Sequence, residues 1–412
     1  MVDPDGSGSP PLFKKLKCPG ESNPFETEDG ISNLPDTVLC SILSFLPTKE
    51  AVRTSILSKR WKYQWTSLPC ITLNDSPLDP CRKSDQYETQ MLRFLNFVDG
   101  VLFRHDASNI EKFCLSFTIP IKQSRVNAWI SAVISRKVRE LELTLSYRTT
   151  YVFQFALFTF ETLTNLHLEH CSLKISAAIC FQSLKTCRLV GVTFLEDSFT
   201  QCLFPDCPVL ENLVLDYCSW PKWATFIIAV PSLKRFKLHF DDLYIITEIY
   251  APNLEDLELS GCFVYSDWVL CDLHSLVNVS IDYLIQGSTD NKKAERVIRL
   301  LKAIQVVKSL QIHDSILGSR QSDWFWLDDD WMNYSVPGTF KLALKEVSLD
   351  GFHGNVAEIH LLELLLQHSL SLERVDIFCV KNLLENPKKI EEVNNLLQML
   401  PRASSRCVIE LQ

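Results

Sequence analysis

Cysteine is the residue type in this sequence with the widest chemical repertoire, and its spacing decides what chemistry it could do. Fifteen cysteines occur in 412 residues. An odd number, in a chain large enough to bury its own core, favours reduced thiols over a disulfide framework. Cys202, Cys207 and Cys218 could supply thiolate ligands to zinc, but they lack the CxxC pairing and the close fourth ligand that mark zinc sites. We therefore expect no metal and no cofactor.

Motifs that mark common enzyme classes are also missing. The sequence has no Gly-rich phosphate loop, no GxSxG elbow and no HExxH, so an enzyme is the weaker alternative to a binding protein. A net charge of −9 argues against nucleic-acid binding through a basic surface,. The chain opens without a signal peptide, and no apolar run approaches the ~18 residues of a membrane span. These features predict a protein of the nucleus or cytoplasm without membrane contact.

The segment 31–69 carries more apolar surface than three short helices can bury among themselves. Pro35 is predicted at the start of the first helix, Pro47 ends it, and Thr48 is predicted to cap the second. A third helix carries Trp61 and Trp65. At ~100° per residue, the apolar side of the first helix spans about 160° and comprises Val38, Leu39, Ile42, Leu43, Phe45 and Leu46. The surplus predicts a docking face, with the core of an ordinary helical cap as the alternative.

This segment resembles the F-box in its plant form, which carries the run RTSxLSKRWxxxW, here from Arg53 to Trp65. The resemblance implies docking into the Skp-type linker subunit of a cullin-RING ubiquitin ligase. It implies that the contact is made by Leu34, Pro35, Leu39, Ile42, Leu43, Leu46 and Val52. Trp61 and Trp65 are expected to join the F-box to the next domain instead.

From about residue 110 the chain repeats a unit with apolar residues at positions 1, 4 and 6. The clearest copies are LTNLHLEHC from Leu163, LENLVLDYC from Leu210 and LEDLELSGC from Leu254. The six central copies follow one another at intervals of 21 to 26 residues, which is the range of leucine-rich repeats. The pattern resembles the LxxLxLxxC repeats common beside F-boxes and predicts a solenoid, with another α/β fold as the alternative.

Each repeat is predicted to contribute one strand to a parallel sheet. Residues at positions 4 and 6 would enter the core, and residues at positions 3, 5 and 7 would face the concave side. The ninth-position cysteines, Cys171, Cys218 and Cys262, are expected to turn toward backbone carbonyls. The concave candidates for target binding are His167, Arg188, Asp216, Arg235, Lys237, Asp256 and Glu258. A solvated face of mixed charge is the alternative, because no single-sign field emerges from these repeats.

The repeat rhythm breaks after Ile312 at an insert that carries Trp324, Trp326 and Trp331 around acidic residues. These tryptophans either anchor a basic partner peptide or cap the solenoid. After the insert, LKxVxLxGFxGNxxE from Leu344 and the closing PRASSR from Pro401 resemble the FBD domain of many plant F-box proteins.

The sequence therefore predicts an α/β chain in which a small three-helix F-box precedes a leucine-rich-repeat solenoid and an FBD-type α/β cap. Its predicted parts are a disordered tail (1–30), the F-box (31–69), a helical junction (70–108), the solenoid (109–314), an acidic-aromatic insert (315–340) and the FBD domain with the final repeats (341–412). The resemblance implies a non-catalytic substrate-recognition subunit of an SCF-type ubiquitin ligase, which binds the Skp-type linker and an unknown target protein. A scaffold or decoy that binds the linker without delivering a substrate is the alternative.

Overall fold

The chain was analysed as a computed structural model. It describes residues 31, 34–75, 84–106, 110–158, 160–174, 181–195, 202–204, 207–220, 225–240, 246–262, 268–271, 273–284, 300–313 and 341–412. The predicted tail (1–30) and insert (315–340), with Trp324, Trp326 and Trp331, lie outside these residues.

Helices are concentrated toward the two ends of the described chain. The α-helices are α1 (Asp36–Ser44), α2 (Thr48–Arg53), α3 (Ser84–Arg104), α4 (Gln123–Ile134), α5 (Val356–His368), α6 (Lys381–Leu384) and α7 (Pro387–Met399). Three short 3₁₀ helices span Thr54–Ile56, Trp61–Ser67 and Phe155–Phe158. The third predicted F-box helix is thus the 3₁₀ helix that carries Trp61 and Trp65.

Twenty strands lie within the described residues. They are β1 (Cys70–Asn74), β2 (Lys112–Ser116), β3 (Glu140–Thr144), β4 (Val152–Gln154), β5 (Asn165–Glu169), β6 (Ser172–Lys174), β7 (Thr186–Val190), β8 (Thr193–Phe194), β9 (Cys202–Leu203), β10 (Asn212–Asp216), β11 (Thr225–Ala229), β12 (Arg235–Phe240), β13 (Ile246–Tyr250), β14 (Asp256–Cys262), β15 (Trp268–Cys271), β16 (Asn278–Leu284), β17 (Ser309–His313), β18 (Glu346–Phe352), β19 (Arg374–Cys379) and β20 (Val408–Leu411).

Thirteen of the strands form one parallel sheet, in the order β1-β2-β3-β5-β7-β10-β12-β14-β16-β17-β18-β19-β20. Each repeat therefore adds one strand beside the previous one, as a solenoid requires. Two smaller parallel sheets, β15-β13-β11-β9 and β4-β6-β8, are formed by the segments that return the chain from one main strand to the next. The core lies under the main sheet and runs continuously from the F-box to the last strand.

Burial alternates along each main strand as the repeat pattern predicts. In β5, Leu166 and Leu168 are buried, whereas Asn165, His167 and Glu169 are half-buried on the other side. Strand partners stay in register, so that Leu166 lies beside Leu141 on one side and Cys187 on the other. The residues at positions 3, 5 and 7 consequently form three rows across the sheet, which we call the concave rows.

The boundaries of the solenoid differ from the prediction. The junction 70–108, predicted as helical, contains α3 but begins with β1, which pairs in parallel with β2. At the other end, β18, β19 and β20 continue the same sheet, so the segment predicted to be an FBD domain adds its strands to the sheet of the solenoid. Its α5 begins with a capping box in which Asn355 accepts from the N–H of Glu358 at 2.9 Å,.

Candidate partner-binding surfaces

The apolar arc of α1 is divided between the core and the solvent. Leu39 and Leu43, at one edge of the arc, are 0% exposed, whereas Phe45 at the other edge is 87% exposed. Trp61 and Trp65 of the following 3₁₀ helix are almost fully buried in the same core. The inner part of the arc therefore holds the F-box together, and the outer part remains available to a partner.

Two of the predicted contact residues lie on the inner part of the arc. Leu39 and Leu43 have no exposed surface in this chain, so a partner could reach them only if the F-box core rearranged. Pro35, Ile42 and Leu46 are exposed as predicted. Leu34 and Val52 are partly buried against the core and present only part of their surface.

Other apolar side chains of the F-box were missing from the predicted contact set. The most exposed are Phe45 and Ile56, each at 87%, followed by Leu57 at 64%. Phe45 lies on the predicted apolar arc, so periodicity placed it on the correct side of α1. Ile56 and Leu57 fall at the 3₁₀ turn after α2. There the α-helical period does not predict which side chains face the solvent. Together with Val38, Ile42 and Leu46, these exposed residues make up the set that we call the apolar docking face.

A polar cluster fixes the chain where it enters the docking face. Arg60 donates to the carboxylate of Asp36 from Nη2 at 2.7 Å and also donates to the carbonyl oxygen of Leu34. Gln64 Nε2 donates to the same carboxylate at 3.1 Å. These contacts join the segment before α1 to the 3₁₀ helix of Trp61, which orients Leu34 and Pro35. Thr48, predicted as a cap of α2, is instead the first residue of that helix and lies buried against β1.

The concave rows bring the other predicted site residues together in two groups. Arg235, Lys237, Asp256 and Glu258 lie on adjacent strands β12 and β14, and Lys237 forms an ion pair with Glu258. Arg188 and Asp216 face each other at 4.0 Å on β7 and β10, with His167 one strand away from Arg188. All seven candidates therefore share one face, although only the first four line a common groove.

That groove has a volume of about 610 Å³ and crosses strands β10 to β17. Ten of its fourteen lining residues are not among the predicted candidates, and Val214, Ser280 and Gln311 are three of these. Ser280 and Gln311 occupy position 5 of their repeats, so the repeat pattern could have found them. The groove lies on the open face of the sheet and is large enough to admit side chains of a bound protein segment.

Local electrostatics along the concave rows argue against a reactive group. The ring of His167 is partly buried and lies beside Arg188, and both effects lower the pKa of this histidine. Burial, reinforced by the carboxylate of Glu142 at 3.1 Å, raises the pKa of Cys114 to about 12. A neutral histidine and a protonated thiol suit a binding surface better than nucleophilic chemistry.

One of the ninth-position cysteines turns toward a backbone carbonyl as predicted. Cys218 donates from Sγ to the carbonyl oxygen of Leu189 at 3.5 Å, whereas for Cys171 the structure shows only that it is buried. Burial raises the pKa of the Cys218 thiol to about 12. Within the described part of the chain, no three His, Cys, Asp or Glu side chains converge as a metal site would require. No described helix is long and apolar enough to span a membrane.

Comparison with known proteins matches two family models to this architecture. The F-box domain model matches residues 31–72, and the model described as At1g61320/AtMIF1, LRR domain, matches residues 101–316. The first match contains the apolar docking face, and the second contains the groove.

Three relatives from Arabidopsis thaliana show the same combination. The F-box/LRR-repeat protein At4g14096 is 32% identical over 70% of this chain, which spans 63% of the relative and thus less than two thirds of its length. The F-box/LRR-repeat protein At4g14103 is 32% identical over 71% of the chain and 79% of the relative. The F-box/FBD/LRR-repeat protein At1g78750 is 27% identical over 98% of the chain and 99% of the relative.

Proposed function

Because the chain belongs to the F-box/leucine-rich-repeat protein family, we propose that it is the substrate-recognition subunit of an SCF-type ubiquitin ligase. In this proposal the apolar docking face binds the Skp-type linker, and the concave rows bind the target protein. The chain makes no covalent bond itself. It holds the target near the charged ubiquitin carrier, which raises the effective concentration of target lysines at the reaction centre.

The observation that carries the proposal is the exposure of Phe45 and Ile56, each 87% exposed, on an otherwise well-packed F-box. A large aromatic side chain in water next to other exposed apolar residues is typical of an interface that is completed by a partner. The position of this face supports the division of roles, because it is formed by α1, the turn after α1 and the 3₁₀ turn after α2, whereas the groove lies on strands β10 to β17.

Capture of the linker by the full chain tests the docking face. Purified Skp-type linker is immobilised, and wild type is compared with the Phe45→Ala/Ile56→Ala variant. Each truncation removes an exposed anchor, so we expect affinity to fall by about tenfold or more. Phe103→Ala is the matched control, because Phe103 is 88% exposed but lies on α3, outside the F-box. Undiminished capture of the double variant, or an equal loss for Phe103→Ala, contradicts the proposed docking face.

Mass spectrometry of cells that express either protein tests the adaptor role. A substrate is a protein that binds both wild type and Phe45→Ala/Ile56→Ala but is ubiquitinated only with wild type. A protein that binds the chain and is never ubiquitinated supports a scaffold or decoy instead. The adaptor role also requires the chain in the nucleus or cytoplasm, which microscopy of a fluorescent fusion checks.

A further inference from the structure

The concave face has a low floor over strands β16, β17 and β18. Position 5 of these neighbouring strands is occupied by Ser280, Gln311 and Ser348, which lie in register with one another. Two of the three are serines, so the middle row is short here, whereas longer side chains, those of Arg188, Lys237 and Glu258, fill it on β7, β12 and β14. Positions 3 and 7 lie four residues apart, roughly 13 Å along a strand. The floor is therefore wide enough for one extended chain lying across the strands.

Acidic side chains greatly outnumber basic ones on the concave rows around this floor. From β14 to β20 the concave rows carry seven carboxylates and one guanidinium, that of Arg374. The carboxylates belong to Asp256, Glu258, Asp282, Glu346, Asp350, Asp376 and Glu410. From β1 to β12 the same rows are balanced, with four acids and four bases. Those residues are Glu140, Glu142, Glu169, Asp216, Lys112, Arg188, Arg235 and Lys237. The acidity of the concave face is thus confined to its second half.

Contacts within the protein offset only part of this acidity, and one of them is the ion pair of Glu258 with Lys237. Arg374 is shared between Asp376 at 2.8 Å and Glu410 at 3.1 Å, so one cation serves two carboxylates. Asp350 accepts from the neutral amide of Gln311 at 2.7 Å and has His313 at 3.5 Å. The excess negative charge therefore remains on the face and favours a partner of opposite charge.

We propose that the target presents an extended segment rich in Lys or Arg, which lies over the floor of Ser280, Gln311 and Ser348. Its cationic side chains reach the acidic rows on both sides, chiefly Glu346 and Asp350. This inference rests on the proposed function, because it names the chemistry of the partner that the concave rows bind. The six central repeats alone, with their mixed charges, do not show this preference. It emerges when β17 to β20 join the same sheet.

Binding of labelled model peptides to the full chain tests the inference. The probe is a fluorescein-labelled ten-residue peptide of alternating Arg and Ser, compared with Glu–Ser and Gln–Ser peptides by fluorescence anisotropy. Since a net charge of −9 attracts any basic peptide, two matched double variants locate the binding. Glu346→Gln/Asp350→Asn neutralises the proposed site. Glu140→Gln/Glu169→Gln removes the same charge from the balanced half of the face.

We expect the Arg–Ser peptide to bind and the other two peptides to bind much more weakly. Glu346→Gln/Asp350→Asn should raise its Kd by about three- to tenfold, whereas Glu140→Gln/Glu169→Gln should leave the Kd nearly unchanged. Equal weakening by both variants overturns the inference, because it shows diffuse attraction. Comparable binding of the Glu–Ser peptide overturns it as well.

A second variant keeps the test decisive if the first one misfolds. Ser280→Lys places a bulky cation on the floor without removing any acid, and we expect it to abolish binding of the Arg–Ser peptide. Unchanged binding by Ser280→Lys overturns the inference. Linker capture is measured on the same samples, so failure of the ligase proposal shows as lost capture by wild type, independently of the peptide result.

Discussion

The backbone N–H of Thr72 donates a hydrogen bond to Oγ1 of Thr48 across 2.8 Å. The bond joins α2 of the F-box to β1, the first strand of the sheet. Thr48 is 4% exposed, so water cannot readily replace its hydroxyl. Strand β1 pairs with β2 on its other side. The Thr72–Thr48 hydrogen bond therefore connects the edge of the main sheet to the F-box.

Removing that hydroxyl should loosen the connection between the two domains. Thr48→Val keeps the shape of the side chain but removes the acceptor of the Thr72 N–H. We expect the free energy of unfolding to fall by about 0.5–1.5 kcal/mol, with faster amide hydrogen exchange in Cys70–Asn74. Thr66→Val is the control, because its hydroxyl donates only to Tyr63 within the same surface turn. Equal stability of Thr48→Val and wild type would show that the bond contributes little.

Because the arc of α1 is divided between the core and the solvent, two truncations on it should change the stability of the protein by very different amounts. Leu39→Ala opens a cavity in the F-box core and should cost about 2–5 kcal/mol of unfolding free energy. Phe45→Ala removes a side chain that is 87% exposed and should change stability by no more than about 0.5 kcal/mol. Urea titration of both variants measures the difference. Similar losses for the two would mean that Phe45 also supports the core.

Periodicity predicted which side of each concave strand is buried, but it could not divide the arc of α1. In the repeats, an alternation of two residues leaves one face for Leu166 and Leu168 and the other for His167. In α1, Leu39 and Phe45 belong to one apolar arc. Their separation depends on where the chain brings Trp61 and Trp65, a contact distant in sequence. Ser280 and Gln311 fall at position 5 of their repeats, so the alternation predicts the face on which they lie, whereas their side-by-side alignment depends on the assembled sheet.

Gly191 and Gly100 predict opposite effects of the same substitution. Gly191 follows β7 with φ +56°, and an added Cβ would lie 2.8 Å from Nδ1 of His170. Gly191→Ala should therefore destabilise the protein by at least about 1–2 kcal/mol. A Cβ at Gly100 also meets an atom at 2.8 Å, but that atom is the flexible end of Arg104. Gly100 lies within α3, so Gly100→Ala should stabilise the protein by about 0.5–1 kcal/mol.

Thermal unfolding of the two alanine variants measures the contrast directly. A rise in Tm for Gly100→Ala with a fall for Gly191→Ala supports the bend after β7 as a position that requires glycine. A fall of equal size for both would show that lack of space, and not backbone conformation, decides the outcome.

His105 predicts that the junction between the F-box and the solenoid weakens in acid. Its Nε2–H donates to the carbonyl oxygen of Leu68 at 2.8 Å, and the residue is 5% exposed. Burial, with Arg136 nearby, lowers the pKa of His105 in the folded state. As the pH falls, His105 is therefore protonated at a higher pH in the unfolded chain than in the folded protein. The stability from neutral His105 is complete above the unfolded pKa of about 6.5 and is lost as pH falls below it.

We expect the free energy of unfolding to decrease between about pH 7 and pH 5, with the largest gain in hydrogen exchange around Leu68 and β1. His105→Gln retains an N–H donor but cannot titrate, so its stability should depend less on pH across the same interval. Other groups titrate equally in both proteins, and the difference between the two curves isolates His105. Parallel curves for wild type and His105→Gln would refute the assignment, since the proton would then be taken up elsewhere.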